Sequence, residues 1–227
     1  DHLGTGYTRQ LAYHALHEVG QLFTDFERDD MGCTVLAQPQ DSGWIVGRNF
    51  DFEADRMFDE EKIMKWVFPS EGIPYLSVIW AGMVGAVTGV NQQGVYISIN
   101  AAGSSDLRRI GTPTSLLVEQ TLRRSPNARA AADSLVAGTT FVADIFVVAD
   151  NDSPDIYVVE KSPQRSALHT IQKTHAIANH FVDPQFADDK VNHYRATALT
   201  SHYRLQRGQE LLQSAPRLDL AGMVHLL

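Results

Sequence analysis

Two runs of sequence decide the fold of this chain: Met31-Gly32-Cys33-Thr34-Val35-Leu36-Ala37 and Gly47-Arg48-Asn49-Phe50-Asp51-Phe52. The turn-forming residues Gln40-Asp41-Ser42-Gly43 lie between them, which predicts a strand, a turn and a second strand. Such a hairpin carries Arg48 and Asp51 back beside Cys33, the chain's only cysteine. A neighbouring base or cation raises the thiolate fraction of a thiol, so this arrangement indicates an activated cysteine. A lone cysteine is more often a small buried hydrophobic residue, so the thiol alone does not establish a function.

The composition is that of an ordinary globular protein. The chain has 227 residues, of which 44% are hydrophobic and 20% charged, enough for one large domain with a substantial core. The net charge of −8 argues against nucleic acid as a partner. One cysteine excludes an internal disulfide framework and a cysteine-rich zinc site, but leaves bacterial cytoplasm, periplasm and secretion all open. No apolar run approaches the roughly 18 to 20 residues needed to span a bilayer.

The periodicity of the chain changes several times along its length. Apolar residues spaced three and four apart predict an amphipathic helix over Tyr7–Glu27. Strands are predicted between Cys33 and Asn100, followed by helices over Thr114–Arg124 and Asn127–Ala137. Strands then resume, and one long helix is predicted over Asp189–Ser214. This order favours two sheets stacked between helical layers.

The order of these motifs resembles a branch of the N-terminal nucleophile hydrolases. That branch contains choloylglycine hydrolases, penicillin V acylases, acyl-CoA:6-aminopenicillanic acid acyltransferases and acid ceramidases. The resemblance begins at Cys33-Thr34 and Gly47-Arg48-Asn49-Phe50-Asp51 and covers about residues 31 to 212. It continues through Ala81-Gly82-Met83-Val84-Gly85, Thr88-Gly89-Val90-Asn91, Ser98-Ile99-Asn100, Asp144-Ile145-Phe146-Val147-Val148-Ala149-Asp150, Tyr157-Val158-Val159-Glu160 and Ala178-Asn179-His180-Phe181.

The resemblance implies a fold and a division of the chain. The expected fold is of the α+β class, a four-layer αββα sandwich. Residues 1–32 would be a helical pro-segment or α-subunit, and residues 33–227 the catalytic αββα domain. Because family members continue with further strands after the last helix, we expect this domain to be incomplete at its C-terminus.

The resemblance also assigns roles around the cysteine. The precursor would be cut just before Cys33, which then supplies a thiol nucleophile and, through its new α-amine, the base. Arg48 would lie near the sulfur and favour the thiolate, and Asp51 would hold the α-amine. Their spacing places Arg48 and Asp51 on opposite faces of an ideal strand, so a bulge or strand end at Asn49-Phe50 is expected. Without the resemblance, Arg48 and Asp51 would be interpreted as ordinary surface residues of a turn.

Three further residues receive roles from the same resemblance. Asn100 and Asn179 each end an apolar strand and would donate to the oxyanion of the reaction. Asparagine is also common at strand ends because it tolerates turn conformations. Arg195 corresponds to an arginine on the helix after the second asparagine, although Lys190 competes for that register.

The expected activity is that of an amidohydrolase. It would cleave a linear, non-peptide N-acyl amide through a thioester on Cys33, after autoproteolysis before that residue. The alternatives are an N-acyltransferase on the same scaffold, an unprocessed binding relative without catalysis and, with little support, a papain-type protease. The substrate would be a small N-acyl amide, and the apolar stretch from Trp66 to Trp80 slightly favours a lipid-like acyl group. No cofactor or metal is expected, and a homo-oligomer is one option.

Overall fold

The hairpin that contains Cys33 forms as the sequence predicts. The structure is a computed structural model that describes residues 31–52, 62–215 and 217–227, together with Gly6, Thr8 and Glu18. Strand β1 (Met31–Pro39) pairs antiparallel with β2 (Trp44–Phe52), and the Gln40 amide donates to the Gly43 carbonyl in the turn between them. On its other edge β1 pairs with β10 (His175–Ile177), so these described residues form a sheet in the order β10-β1-β2.

A second, larger sheet faces the hairpin. In the described residues it has seven strands, all antiparallel, in the order β3-β4-β5-β6-β7-β8-β9. The strands are β3 (Lys62–Val67), β4 (Tyr75–Trp80), β5 (Thr88–Asn91), β6 (Tyr96–Ala101), β7 (Asp144–Ala149), β8 (Ile156–Lys161) and β9 (Ser166–Ile171). Every residue of β7 and β8 is buried, because these central strands are covered on both faces.

Helices cover the outer face of each sheet. On the larger sheet lie α1 (Thr114–Arg124) and α2 (Ala128–Ala137), whose core includes Leu122 and Leu135. On the smaller sheet lie α4 (Ser201–Ser214) and α5 (Leu220–Leu226), whose core includes Leu212. A third apolar cluster fills the space between the two sheets. These layers confirm the predicted αββα sandwich.

The predicted helix over Asp189–Ser214 is wrong in one respect. It is two helices, α3 (Lys190–Thr197) and α4, separated by a turn at residues 198–200. Thr197, Thr200 and Ser201 are weak helix formers, since their hydroxyls compete for backbone hydrogen bonds. The turn frees α4 to pack closely on the smaller sheet: a Cβ on Gly208 would lie 2.8 Å from Leu36 Cδ2.

Two other expectations meet the structure only in part. Of the predicted helix over Tyr7–Glu27, the described residues Thr8 and Glu18 are helical and the remainder lies outside the described residues. Glu18 is buried, and its carboxylate accepts a hydrogen bond from the Thr114 backbone amide at the start of α1. The apolar stretch from Trp66 to Trp80 is buried only in part: Trp66 and Phe68 are 67% and 77% exposed, whereas Trp80 is 8% exposed.

Candidate active site

Cys33 and Arg48 meet in the space between the two sheets. Cys33 is 2% exposed, and Val35, two residues further along β1, pairs with Arg48 on β2. Residues two apart on a strand share a face, as do directly opposed residues, so Arg48 points to the same side as the thiol. Its Nη2 lies 3.8 Å from Cys33 Sγ. The hairpin register alone therefore brings the predicted nucleophile and its cation together.

Neighbouring neutral groups hold the Arg48 guanidinium in place. Nη1 donates to Thr88 Oγ1 on β5 at 2.5 Å, and Nη2 donates to the Ile99 carbonyl on β6. The guanidinium carbon also lies 4.3 Å from the centre of the Phe50 ring. None of these partners carries a negative charge, so the positive charge of Arg48 is available to stabilise a thiolate.

Asp51 approaches the cysteine from the other face of the hairpin. The β1–β2 register runs one-to-one from Met31–Phe52 to Pro39–Trp44, so the bulge expected at Asn49-Phe50 does not exist. Asp51 pairs with Gly32, and a Cβ built on Gly32 would lie 3.6 Å from its Oδ2. The peptide nitrogen of Cys33 lies in the plane of the sheet, between the two faces. Asp51 therefore lies near the Gly32–Cys33 junction without sharing the face of Arg48.

Asn100 and Asn179 cross-link the two sheets next to Cys33. Asn100 Nδ2 donates to the Ala178 carbonyl at 3.0 Å, and Asn179 Nδ2 donates to the Ala101 carbonyl at 2.7 Å. Each side chain thus binds the backbone beside the other, and both residues are buried. A carboxamide nitrogen carries two hydrogens, so each has one besides the hydrogen in this bond. This leaves both asparagines with the chemistry of an oxyanion donor.

The oxygen of Asn179 faces the nitrogen of Cys33. Asn179 Oδ1 accepts from the Cys33 backbone nitrogen at 2.7 Å and from Arg204 Nη2 at 2.8 Å. Arginine is only a donor, so the atom facing Arg204 must be the amide oxygen, which settles the orientation of this carboxamide on chemical grounds. If the chain is cut before Cys33, the same oxygen becomes an acceptor for the new α-amine.

The arginine that reaches Cys33 from the C-terminal helices is Arg204. Its Nη1 donates to the Cys33 carbonyl and, at 3.3 Å, to Thr34 Oγ1. The structure instead places Arg195, the residue selected from sequence, on α3 against the loop after β6: a Cβ on Gly103 would lie 2.7 Å from Arg195 Cδ. The role that the resemblance gives Arg195, contact with an acyl oxygen or with the surroundings of the cysteine, stays a prediction.

A helical pattern would have identified Arg204. The buried residues of α4 are Ser201, Gly208 and Leu212, and Arg204 lies three residues after the first and four before the second. It therefore occupies the face of the helix that packs on the sheet. An arginine on the packed face of a helix is the sequence signal that would have identified Arg204. Predicting one continuous helix over Asp189–Ser214 hid this signal, because it left the start of the packed face of α4 undefined.

The backbone of Asn179 is held by a buried hydroxyl and histidine. The Asn179 amide donates to Ser201 Oγ at 2.8 Å, and Ser201 Oγ lies 2.7 Å from His180 Nδ1. Burial lowers the pKa of His180, and the nearby His202 lowers it further. A neutral His180 can accept the Ser201 hydroxyl proton, which leaves the hydroxyl oxygen to accept from Asn179.

A cleft of about 410 Å³ opens beside Arg48. Its polar lining consists of Arg48, Asn49, Asp51, Lys62 and Thr88. Its apolar lining includes Phe50 and Trp80, whose ring centres lie 4.9 Å apart. A cleft with apolar walls and a few polar and charged groups can hold a ligand that has an apolar part and a polar end.

Clustered metal-ligating side chains and bilayer-spanning helices are both absent from the residues that the structure describes. Within them, no three His, Cys, Asp or Glu side chains converge as ligands for a metal ion. None of the helices described there has the length and apolarity to cross a bilayer.

Comparison with known proteins yields one family. The model of the acyl-coenzyme A:6-aminopenicillanic acid acyl-transferase family matches residues 37–227. The matched range begins just after Cys33, within the same strand. No curated protein sequence matches the chain.

Similar solved structures are distant in sequence. The N-acylethanolamine-hydrolyzing acid amidase ortholog of Caenorhabditis elegans superimposes with a TM-score of 0.62 at 19% identity, covering 86% of this chain and 85% of that one. Penicillin V acylase from Agrobacterium tumefaciens gives a TM-score of 0.45 at 16% identity, covering 63% of this chain and 51% of that one. A variant of conjugated bile acid hydrolase from Clostridium perfringens gives 0.45 at 13% identity, covering 68% and 55%.

Proposed function

The chain belongs to the acyl-coenzyme A:6-aminopenicillanic acid acyl-transferase family, and from this premise we propose that it is a cysteine amidase of the N-terminal nucleophile type. Its group contains amidohydrolases and acyltransferases, and membership of the family supports an enzyme of one of these two kinds. The finer proposal is hydrolysis of a linear N-acyl amide by Cys33, after the chain is cut before that residue.

The convergence of side chains on Cys33 carries this proposal. Arg48 Nη2 lies 3.8 Å from its sulfur, and Asn179 Oδ1 lies 2.7 Å from its nitrogen. A structural cysteine needs neither contact, since a buried thiol packs as a small apolar group. A nucleophile whose own amine serves as the base needs both: a cation for the thiolate and an acceptor that holds the amine.

Maturation follows from this arrangement. The Cys33 sulfur attacks the Gly32 carbonyl carbon, the C–N bond of the peptide breaks, and the Cys33 nitrogen takes up a proton. Water then hydrolyses the Gly32–Cys33 thioester, which releases a carboxylate on Gly32 and the free thiol. Asp51, near this junction, would then hold the new α-amine from the outer face of the hairpin.

Turnover repeats the same chemistry on a substrate. The α-amine takes the thiol proton, the thiolate attacks the amide carbonyl, and the remaining N–H of Asn100 or Asn179 stabilises the oxyanion. The amine product leaves with the proton, and the acyl group stays on Cys33 as a thioester. Water completes an amidase cycle, whereas an acceptor amine completes that of an acyltransferase. Arg195 would act from α3, where its side chain packs against Gly103 in the loop after β6.

Intact-mass measurement and acid release test this proposal together. Freshly purified protein should consist of two fragments that separate at Gly32–Cys33. It should release acid from one or more members of a panel of N-acyl amino acids, N-acylethanolamines and penicillins. Faster loss of substrate with added amines, accompanied by new amides, would indicate the acyltransferase. A permanently single chain that releases no acid would instead favour an unprocessed binding relative.

A further inference from the structure

The segment that carries Asn179 is buried without belonging to a strand. Residues Ala178 to Phe181 follow the end of β10, and each is at most 7% exposed. Buried backbone groups need hydrogen-bond partners, and among the described residues no strand pairs with this segment to supply them. Side chains from elsewhere in the fold supply them instead.

Among the described residues, four side chains bind the backbone of this segment or of Val182 and Asp183 directly after it, and three of the four are neutral. The bonds are Asn100 Nδ2 to the Ala178 carbonyl at 3.0 Å, the Asn179 amide to Ser201 Oγ at 2.8 Å, the Phe181 amide to Asn192 Oδ1 at 2.7 Å, Asn192 Nδ2 to the Phe181 carbonyl at 3.0 Å, the Val182 amide to Glu160 Oε1 at 2.8 Å and the Asp183 amide to Glu160 Oε2 at 2.9 Å. The charged member, Glu160, uses both carboxylate oxygens.

The position of Glu160 suits this task. It lies in β8, in the same cross-strand row as Ile145 and Asn100, on the face between the sheets. It is 2% exposed, and His169 Nε2 lies 3.8 Å from its Oε1. An isolated buried carboxylate is costly, so its presence in this row calls for compensating contacts, which the two backbone amides and His169 provide.

We propose that Glu160 is a positioning residue for the reaction: by holding the Val182 and Asp183 amides it fixes the segment that presents Asn179 to Cys33. This inference rests on the proposed function of Cys33 and Asn179. Glu160 itself touches neither residue, and its effect passes through three residues of backbone. We call the two hydrogen bonds from the Val182 and Asp183 amides to Glu160 the clamp. Loss of the clamp should therefore displace the Asn179 carboxamide and leave the Arg48–Cys33 contact intact.

The first test is Glu160→Gln, with Asp150→Asn as the matched control. Glutamine keeps the shape of Glu160 but turns an amide NH₂ toward one of the two backbone donors. We expect kcat to fall about 10- to 100-fold, as for loss of one charge-assisted bond, with KM within about twofold and unchanged alkylation of Cys33. Asp150 is also buried and accepts from the Ala128, Asp152 and Ser153 amides, but at the far end of β7. Asp150→Asn should lower the melting temperature and leave kcat within about twofold.

A second pair of variants covers the case in which Glu160→Gln does not fold. Asp183→Pro removes one amide that donates to Glu160, and the φ of −66° at Asp183 suits proline. Asp183→Ala removes the same carboxylate but keeps the amide. The clamp predicts a lower kcat for Asp183→Pro than for Asp183→Ala. Equal kcat in this pair, or wild-type kcat in folded Glu160→Gln, overturns the proposal.

Hydrogen exchange separates failure of the clamp from failure of the proposed function. In a Cys33→Ala background the chain stays uncut, and the backbone amide of residue 33 still donates to Asn179. Glu160→Gln should speed exchange of that amide at least tenfold, whereas Asp150→Asn should not. Unchanged exchange refutes the clamp whether or not the enzyme is active. Faster exchange in a protein whose wild type releases no acid supports the clamp and refutes the amidase.

Discussion

Removing the positive charge of Arg48 should slow alkylation of Cys33. At 3.8 Å, a guanidinium and a thiolate attract each other by about 1 to 4 kcal/mol for effective dielectric constants between roughly 80 and 20. That energy corresponds to about 5- to 1000-fold in the thiolate fraction. A less stabilised thiolate is also more nucleophilic, which offsets about half of the effect on a logarithmic scale. Arg48→Met should therefore slow iodoacetamide alkylation near neutral pH by roughly 2- to 30-fold.

Arg204→Met is the matched control for this measurement. It removes the same charge from the opposite face of the hairpin, where Arg204 contacts the Cys33 carbonyl and Asn179 rather than the sulfur. Its alkylation rate should stay within about twofold of wild type, while its turnover falls because the Asn179 carboxamide loses its orienting donor. The assay follows single alkylation by mass spectrometry on protein of verified fold and cleavage state. Equal slowing in both variants, or none with Arg48→Met, would refute the assignment of Arg48 to the sulfur.

Three further outcomes follow from the site. Cys33→Ala should remain full length and release no acid, and Cys33→Ser should be cut slowly at best. Normal activity in Cys33→Ala would refute the proposed mechanism. Asn179→Ala should lower kcat roughly 100- to 1000-fold with little change in the rate of Cys33 alkylation, because it removes one oxyanion donor. Slowed alkylation with normal turnover would instead assign the oxyanion role to Asn100. The pKa of His169 is raised by the Glu160 carboxylate, although burial opposes the shift. The stability that protonated His169 contributes is therefore complete below about pH 6.5, the pKa of an unperturbed histidine, and is lost as the pH rises through the raised pKa of His169. Melting temperatures from pH 5 to 9 should show this decline in wild type and a flatter profile in His169→Gln.

The local part of the site was predictable from sequence because it depends on short-range pattern. Turn residues between two runs of strand-forming residues define a hairpin, and its register determines that Arg48 shares a face with Cys33. The expected bulge was wrong for an instructive reason. It assumed that Arg48 and Asp51 must lie on one face of the strand for both to reach the site, whereas the regular register places Asp51 opposite Gly32, beside the Gly32–Cys33 junction.

The parts that failed or were missed depend on packing between distant segments. Trp66 and Phe68 resemble core residues by type, but Trp66 lies on the edge strand β3 and Phe68 just beyond its end, and both are exposed. Arg195 and Arg204 are the same type of residue, and only the packing of the described segments shows that Arg204 contacts the Cys33 carbonyl and Asn179 while Arg195 packs against Gly103.

By itself, the sequence determined the order of strands and helices, the family of the chain and the pairing of Cys33 with Arg48. These follow from local propensity, strand periodicity and the spacing of motifs, all of which act over a few residues. Only the tertiary structure decided the reciprocal bonds of Asn100 and Asn179, the approach of Arg204 and the clamp formed by Glu160. Each of these joins segments far apart in the chain, because a buried polar group must find its hydrogen-bond partner wherever the packed layers happen to supply one.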